Sequence, residues 1–413
     1  MKSIAIVLDQ HAEEASFLAI LRDYAVGAPN YDLTHLANLD NRIEAHLDGL
    51  QIAGLKGLNL LLEQLGPRAS GEVFAATVLA FQMGSSTALS SIASSLHTCP
   101  DGERYFIAAL GWLEWSVVQP WVERLLASPE PLFRRLGLAA CGLHRQDPGP
   151  ALLSALGHSD PGVLARAART AGELRRRDLM QPLRLHRLHA DPTLRFWSNW
   201  ATAQMGDAEA LPILQQFAEQ PGPWQERALH VVLAWQTREA SMAWIRRMTQ
   251  VPEQRRIAIK ATGLFGDPVA LPWLLQQLHD LPMARVAGEA FSQITGVDLA
   301  LQDLELVHSP DYDAGPNDDP ADGNIAMDPD ENLPWPDPLR VHSWYQQHGS
   351  SLHNGTPYLV GEPFSEAACL RVLSHGNQPQ RRVASGLLAR YVPTRVVFPV
   401  SAPARRQRGL LKG

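Results

Sequence analysis

Apolar residues between positions 128 and 304 recur with helical spacing, and polar corners interrupt them about every fifteen residues. One such run has its apolar residues at Leu164, Ala167, Ala168, Ala171 and Leu174. This spacing places the apolar side chains on one face of a helix. The pattern therefore predicts a succession of short amphipathic helices.

The corners repeat with a long period. The stretch "WATAQMGDAEALPILQQF" (Trp200–Phe217) shares its Ala-Thr, Gly-Asp, Ala-Leu-Pro and Gln-Gln pairs with "KATGLFGDPVALPWLLQQL" (Lys260–Leu278), at an offset of 60 residues that slips by one at the last pair. Corner aspartates step by 31, 29, 60 and 31 residues through Asp147, Asp178, Asp207, Asp267 and Asp298. A second series of corners, which includes Asp160-Pro161 and Asp191-Pro192, lies half a repeat away from the first series. The unit is predicted to be a helix hairpin of about 30 residues.

The corner at Gly266 is explained by the physics of helix ends. Gly266 suits the left-handed position after the first helix, because it has no Cβ. Asp267 is expected to cap the second helix, a contribution of about 1 kcal/mol, and Pro268 fits its first turn. A phosphate-binding loop would need several glycines and a lysine, which this corner lacks.

Arginines and tryptophans crowd the repeats. One arginine falls early in each first helix, at Arg134, Arg166, Arg195, Arg227, Arg255 or Arg256, and Arg285. In the favoured interpretation they form an internal ladder, in which each arginine bonds the loop of a neighbouring unit. Alternatively, they line a groove for an acidic partner. Most tryptophans should be core, with one or two serving as anchors for a partner. The candidate partner-binding residues are Arg166, Arg195, Trp197, Arg227, Trp244 and Trp273.

The repeats, with their Asp-Pro starts and Gly-Asp corners, resemble the short HEAT-like repeats of the phycobilin-lyase type. The resemblance covers about residues 128–304, and "EAFSQITGVDL" (Glu289–Leu299) looks like a closing unit. The predicted fold is all-α: an α-solenoid of HEAT-like helix hairpins with a helical N-terminal cap and a small C-terminal helical region. The predicted divisions are the cap 1–127, the array 128–304, an acidic linker 305–338 and the C-terminal region 339–413 with a basic tail.

The net charge of −7 is unevenly distributed. Residues 303–337 contain eleven acidic residues and no Lys or Arg, so the rest of the chain sums to 36 − 32 = +4. Residues 367–413 contain nine Lys or Arg and no acid. This segregation suggests that the acidic linker and the basic tail meet, or that one shields the other from a partner. The linker itself is expected to be a solvated tether.

Segments near both ends of the chain resemble a more particular family. They are "NRIEAHLDGLQIAG" (41–54), "LPWPDPLRVHSWYQQH" (333–348), "GTPYLVGEPFSEAACLRVLSHGNQPQRRVASGLLA" (355–389) and "RRQRGLL". They are similar to an uncharacterised bacterial family of HEAT-repeat proteins that are often encoded beside type VI secretion genes. The resemblance implies an accessory, adaptor or effector-associated role, and it supplies no catalytic residues.

The search for catalytic and metal chemistry gives weak candidates. There is no Gly-x-Ser-x-Gly, Cys-x-x-Cys or His-Glu-x-x-His motif. His186 and His189 share a helical face without a third ligand and are expected to face solvent. A calcium loop over Asp311–Asp322 would have Pro316 where the turn needs glycine. No catalytic residue, metal or cofactor is therefore assigned.

The expected compartment is the cytoplasm. The first apolar run ends at Asp9, too early for an export signal. The longest apolar stretches are about half a membrane span, so no membrane association is expected. Three separated cysteines, Cys99, Cys141 and Cys369, fit a reducing environment.

The leading hypothesis is a non-enzymatic scaffold or adaptor that binds another protein, such as a secretion-system component or effector. One alternative is an enzyme or cofactor lyase built on the same fold. Another is a nucleic-acid binder, which is disfavoured because no long basic stripe with interleaved aromatic residues is present. The run Arg175–Arg177 is already favoured by the dipole at a helix end.

Overall fold

The computed structural model describes residues 5–312, 315–316, 323 and 326–412. Within these residues the chain forms 22 α-helices and one short β-hairpin, so the predicted all-α class is confirmed. It packs as two compact units. Unit 1 contains the residues up to Met205 together with those from Arg395 onward, and unit 2 contains Gly206–Thr394. The four divisions expected from sequence character stay predictions.

Unit 1 begins with twelve helices in chain order. They are α1 (Ala5–Ala25), α2 (Leu33–Ile52), α3 (Leu55–Glu63), α4 (Ser70–Gln82), α5 (Ser86–Ser95), α6 (Gly102–Trp112), α7 (Trp115–Ala127), α8 (Pro131–His144), α9 (Pro150–Ala155), α10 (Pro161–Leu174), α11 (Met180–Arg184) and α12 (Pro192–Gln204).

Unit 2 contains the next nine helices and the hairpin. They are α13 (Leu211–Glu219), α14 (Gln225–Trp235), α15 (Arg238–Thr249), α16 (Arg255–Phe265), α17 (Leu271–Gln277), α18 (Leu281–Thr295), α19 (Pro338–His348), β1 (Tyr358–Leu359), β2 (Glu362–Pro363), α20 (Glu366–His375) and α21 (Gln378–Tyr391). The strands pair antiparallel, with Leu359 opposite Glu362. The last helix, α22 (Ala404–Lys412), belongs to unit 1.

The first helices of successive hairpins stack within each unit. In unit 1, α10 packs between α8 and α12, and in unit 2, α16 packs between α14 and α18. Close approach requires small residues at the crossings. A Cβ on Gly172 of α10 would lie 2.7 Å from the Cα of Ala201 on α12, which is closer than real Cβ contacts. Each hairpin therefore buries its apolar face against its neighbours.

The Asp-Pro ladder starts the first helices as predicted. Asp160 caps α10, its Oδ1 accepting from Val163 N at 2.8 Å, and Asp191 caps α12 by accepting from Leu194 N at 2.8 Å. The proline that follows each aspartate lies in the first turn. These caps satisfy amide groups that the helix itself leaves unpaired.

The corner at Gly266 is also confirmed, and it does more than end a helix. Gly266 has a φ of 75°, and Asp267 Oδ1 accepts from Val269 N at 3.0 Å. The same carboxylate, fully buried, binds the Arg238 guanidinium at 2.6 Å and the Gly355 amide at 3.0 Å. Asp267 therefore fastens three segments of unit 2 to one another.

The acidic linker was expected to be solvated, but its described end is docked on unit 2. Asp330 is buried and pairs with Arg256, and Asp328 pairs with Arg285. The Arg285 guanidinium also lies 4.3 Å from the ring centroid of Trp335. The end of the linker docks because arginines at the start of α16 and within α18 provide opposite charge for its carboxylates. Asp313 and Asp322 of the considered calcium loop lie outside the described residues.

The part of the chain that the structure describes contains no helix long and apolar enough to cross a membrane. Cys99, Cys141 and Cys369 are all free thiols and buried.

We expect Asp267→Ala to lower the free energy of unfolding by about 2 to 3 kcal/mol, more than a cap alone, because Arg238 and the Gly355 amide lose a buried charged acceptor. The matched control is Asp147→Ala. Asp147 also accepts a corner amide, from Gly149, but its side chain is 53% exposed, so its removal should cost about 1 kcal/mol or less. Urea denaturation followed by circular dichroism measures both, and equal losses would contradict the three-way role of Asp267.

Candidate functional site

Arg166 lies inside unit 1, paired with a buried carboxylate. Its Nη2 donates to Glu173 Oε2 at 2.7 Å and its Nε donates to Thr170 at 3.2 Å. Arg169 donates to the other Glu173 oxygen at 2.9 Å. Burial alone would raise the pKa of Glu173, but Arg166, Arg169 and Arg145 lower it to about 2. Burial lowers the pKa of Arg166 to about 10, and both groups remain charged at neutral pH.

Trp197 is connected to this cluster through Arg169. The Arg169 guanidinium lies 4.6 Å from the centroid of the Trp197 ring, in cation–π geometry. Trp197 is itself largely buried and meets Trp200 edge to face at 5.4 Å. The structure thus brings two of the six candidates, Arg166 and Trp197, into one packed cluster between α10 and α12.

The other four candidates are dispersed. Arg195 is half-buried and donates to the carbonyl of His189 at 2.8 Å. Trp244 is buried, and its indole donates to Glu219 at 2.6 Å. Trp273 is half-buried against the core of unit 2. Arg227, on α14, is exposed.

Arg227 belongs to a group of charged side chains near His230 that we call the α14 patch: Glu226, Arg227, Lys260 and Arg382. Lys260 of α16 pairs with Glu226, and Arg382 of α21 approaches the same carboxylate at 3.9 Å. Beneath them, burial and the nearby Arg382 lower the pKa of His230 to about 3, so its ring is neutral. The patch therefore presents both signs of charge over a neutral base.

Unit 1 also holds part of its own chain as a ligand would be held. This docked segment, residues 395–412, is bound first through its main chain. Arg145 Nε donates to the carbonyl of Val397 at 2.8 Å, and Arg175 donates to the carbonyl of Arg395 at 3.2 Å. The Val397 amide donates to the carbonyl of Glu173 at 3.2 Å. The segment is thus fastened across the ends of α8 and α10.

The two arginines that hold it have an unusual backbone. Arg145 and Arg175 end α8 and α10 with φ of 57° and 54°, in the left-handed region that Gly266 occupies at the later corner. A residue with a Cβ adopts this region at a cost of about 1 kcal/mol. The cost is offset where the side chain gains contacts, and here both guanidinium groups reach main-chain carbonyls of the docked segment.

The second half of the docked segment, α22, is bound by charge. Asp40 of α2 is buried and accepts from Arg22 Nε at 2.6 Å. It also accepts from the Ala404 amide at 2.6 Å, so a carboxylate of α2 caps the first turn of α22. Arg405 donates to Glu114 at 2.9 Å and approaches Glu44 at 3.4 Å.

Main-chain acceptors complete this contact. Arg405 also donates to the carbonyl of Trp112 at 2.8 Å, and Arg406 donates to that of Leu113 at 2.7 Å. Burial would raise the pKa of Glu114, but Arg405 and Arg406 hold it below its usual value. We call the binding surface the peptide groove; its side chains are Arg22, Asp40, Glu44, Glu114, Arg145 and Arg175.

Sequence reasoning missed the peptide groove because its residues come from five separate helices and their ends. A local signal existed, since Arg145 and Arg175 occupy the helix-end position that a later corner gives to Gly266.

The expectation that His186 and His189 face solvent from a helix was wrong. Both are half-buried, in and after the turn that follows α11. His189 Nδ1 accepts from the Asp191 amide at 3.0 Å, as His158 does from Asp160 at 2.9 Å. His158 and His189 therefore brace the Asp-Pro corners.

No group of three or more His, Cys, Asp or Glu side chains that could hold a metal ion occurs among the described residues. Burial raises the pKa of the Cys141 and Cys369 thiols to about 12, so both are protonated at neutral pH. Neither thiol is poised to act as a nucleophile.

Comparison with known proteins agrees with the helix hairpins. A family model described as HEAT repeats matches residues 149–234, from α9 to α14, and supports a HEAT-repeat protein. No curated protein matches the chain. The predicted HEAT-like hairpin architecture is therefore confirmed. Such repeats are typical of protein-interaction scaffolds.

We expect Glu173→Gln to lower the free energy of unfolding at pH 7 by about 3 kcal/mol, because it leaves buried Arg166 without its counter-charge. The folded-state pKa lies below the reference value of 4.5, at about 2. The stabilisation is therefore complete above pH 4.5 and disappears as the pH falls through 2. Urea denaturation at several pH values should show the variant and the wild type converging over that interval.

The control for this series is Glu103→Gln. Glu103 also pairs with an arginine, Arg135, but its side chain is 36% exposed, so its loss should be below about 1 kcal/mol. A difference between Glu173→Gln and the wild type that is independent of pH would argue against the ion pair as its source.

Proposed function

We propose that this protein is a non-enzymatic scaffold that binds another protein, and that the α14 patch is a contact surface. The supporting observation is a group of mixed charges at the edge of the HEAT-repeat match, exposed on α14 at Glu226 and Arg227 and half-buried on α16 and α21 at Lys260 and Arg382. Exposed charges of both signs orient a partner and exclude wrong ones more than they add affinity. Such a patch suits a polar protein surface with complementary charges.

The six candidate residues take two roles in this proposal. Arg227 is the contact residue, since its side chain is exposed, and the outer part of Trp273 is a second contact. Arg166, Arg195 and Trp197 in unit 1 and Trp244 in unit 2 contribute to the packing of their own units through their polar atoms or rings.

A narrower proposal concerns the identity of the partner. The end segments resemble bacterial HEAT-repeat proteins often encoded beside type VI secretion genes, and we propose a component or effector of that system as the partner. The three free, buried cysteines fit a protein of the reducing cytoplasm. An adaptor there would meet such a partner before export.

We expect Arg227→Glu to reduce recovery of the partner at least tenfold in affinity purification from the cells that make the protein, because like charges placed across an interface repel. The matched control is Arg246→Glu, the same charge reversal at an exposed site on α15, which should leave recovery unchanged. Quantitative mass spectrometry compares the baits. A photo-crosslinker at position 227 should also label the recovered protein.

Equal recovery by both baits would remove the α14 patch from the proposal. Loss of the captured material after nuclease treatment would favour the nucleic-acid alternative instead, since such binding depends on phosphate contacts.

A further inference from the structure

We propose that the peptide groove of unit 1 is a binding site for a segment of another protein, and that the docked segment is an internal ligand which occupies it. The partner segment has the chemistry of the docked one: a short extended apolar run that enters a helix opening with two arginines. This deepens the scaffold proposal, on which it rests, by assigning a second surface and the class of ligand it takes.

The extended half of the docked segment is bound in a way that any peptide could satisfy. Arg145 and Arg175 donate to the carbonyls of Val397 and Arg395, and Arg22 donates to that of Ser401 at 3.2 Å. Every peptide carries such carbonyls, so these contacts fix the path of a chain without reading its side chains.

The helical half supplies the selectivity. The Asp40 carboxylate receives the first amide of α22, and the site that receives Arg405 is acidic, formed by Glu44 and Glu114. The ring of Trp112 lies 5.3 Å from the Arg405 guanidinium. Next to them, Ala404 is almost fully buried, so a large side chain would not fit at that position. An entering segment therefore needs a small residue followed by arginines.

The groove is also of a kind that can open. Its hydrogen bonds and ion pairs to the docked segment are made by charged side chains, and water can replace these when the segment leaves. Apolar residues of the segment are buried as well. They are Phe398, Ala402 and Ala404, and Leu411 packs on Leu33 and Ala37. A competing segment that offers the same polar contacts and apolar residues of similar size can therefore exchange with it.

The test uses the full-length protein and a fluorescein-labelled synthetic peptide of residues 395–412. Arg405→Ala with Arg406→Ala weakens the internal ligand and leaves the groove unaltered. We expect this protein to bind the peptide roughly tenfold or more tightly than the wild type in fluorescence anisotropy, because the intramolecular competitor has lost charged hydrogen bonds. Adding Asp40→Asn in the groove should abolish the gain. Arg408→Ala, an exposed position of the same helix, should behave like the wild type.

Trypsin cleavage after Arg395 reports whether the internal segment is released, and circular dichroism confirms that every variant is folded. Faster cleavage with tighter peptide binding supports the proposal. Faster cleavage without peptide binding overturns it, and so does unchanged cleavage, since the arginines would then not hold the segment. Peptide binding that survives Asp40→Asn also overturns it. If the peptide fails while Arg227-dependent capture persists, the scaffold stands without this site.

Discussion

The close approach of successive first helices is the constraint on which the rest of the structure depends. Gly172 lets α10 approach α12 so nearly that a methyl group would not fit between them. A single hairpin cannot bury its apolar face, and it becomes stable only by stacking on its neighbours. Tight stacking also encloses polar side chains near the helix ends. These groups must find partners inside the protein, because an unpaired buried charge is costly.

The arginines show how one residue type meets that requirement in different ways. Arg166 neutralises Glu173 in the interior, Arg195 binds a carbonyl of the preceding turn, and Arg285 holds the acidic linker. Arg145 and Arg175 instead reach main-chain carbonyls of the docked segment from strained helix ends. The internal ladder favoured from the sequence describes Arg195, which binds the preceding loop, whereas Arg166 pairs within its own helix. Arg227 is exposed at the α14 patch.

Charge segregation along the chain also receives a structural meaning. In unit 2, Asp328 and Asp330 of the acidic linker lie on arginines of α16 and α18. In unit 1, Arg405 of the basic tail lies on Glu44 and Glu114. Each charged segment thus finds opposite charge within its own unit. The expectation that the acidic linker is a solvated tether was wrong for its described end, because a sequence does not reveal which charges the fold brings close.

The sequence by itself determined the local structure of this protein. Period and corner chemistry identified the hairpins, the caps at Asp160 and Asp191, and the turn at Gly266, because these depend on residues within one or two helical turns. Only the tertiary structure decided which side chains bind something. The peptide groove joins Asp40 to Arg145 and Arg175 across more than a hundred residues of sequence, and Asp267 meets Gly355 over 88. Such contacts follow from how helices stack, and no local pattern of residues encodes them.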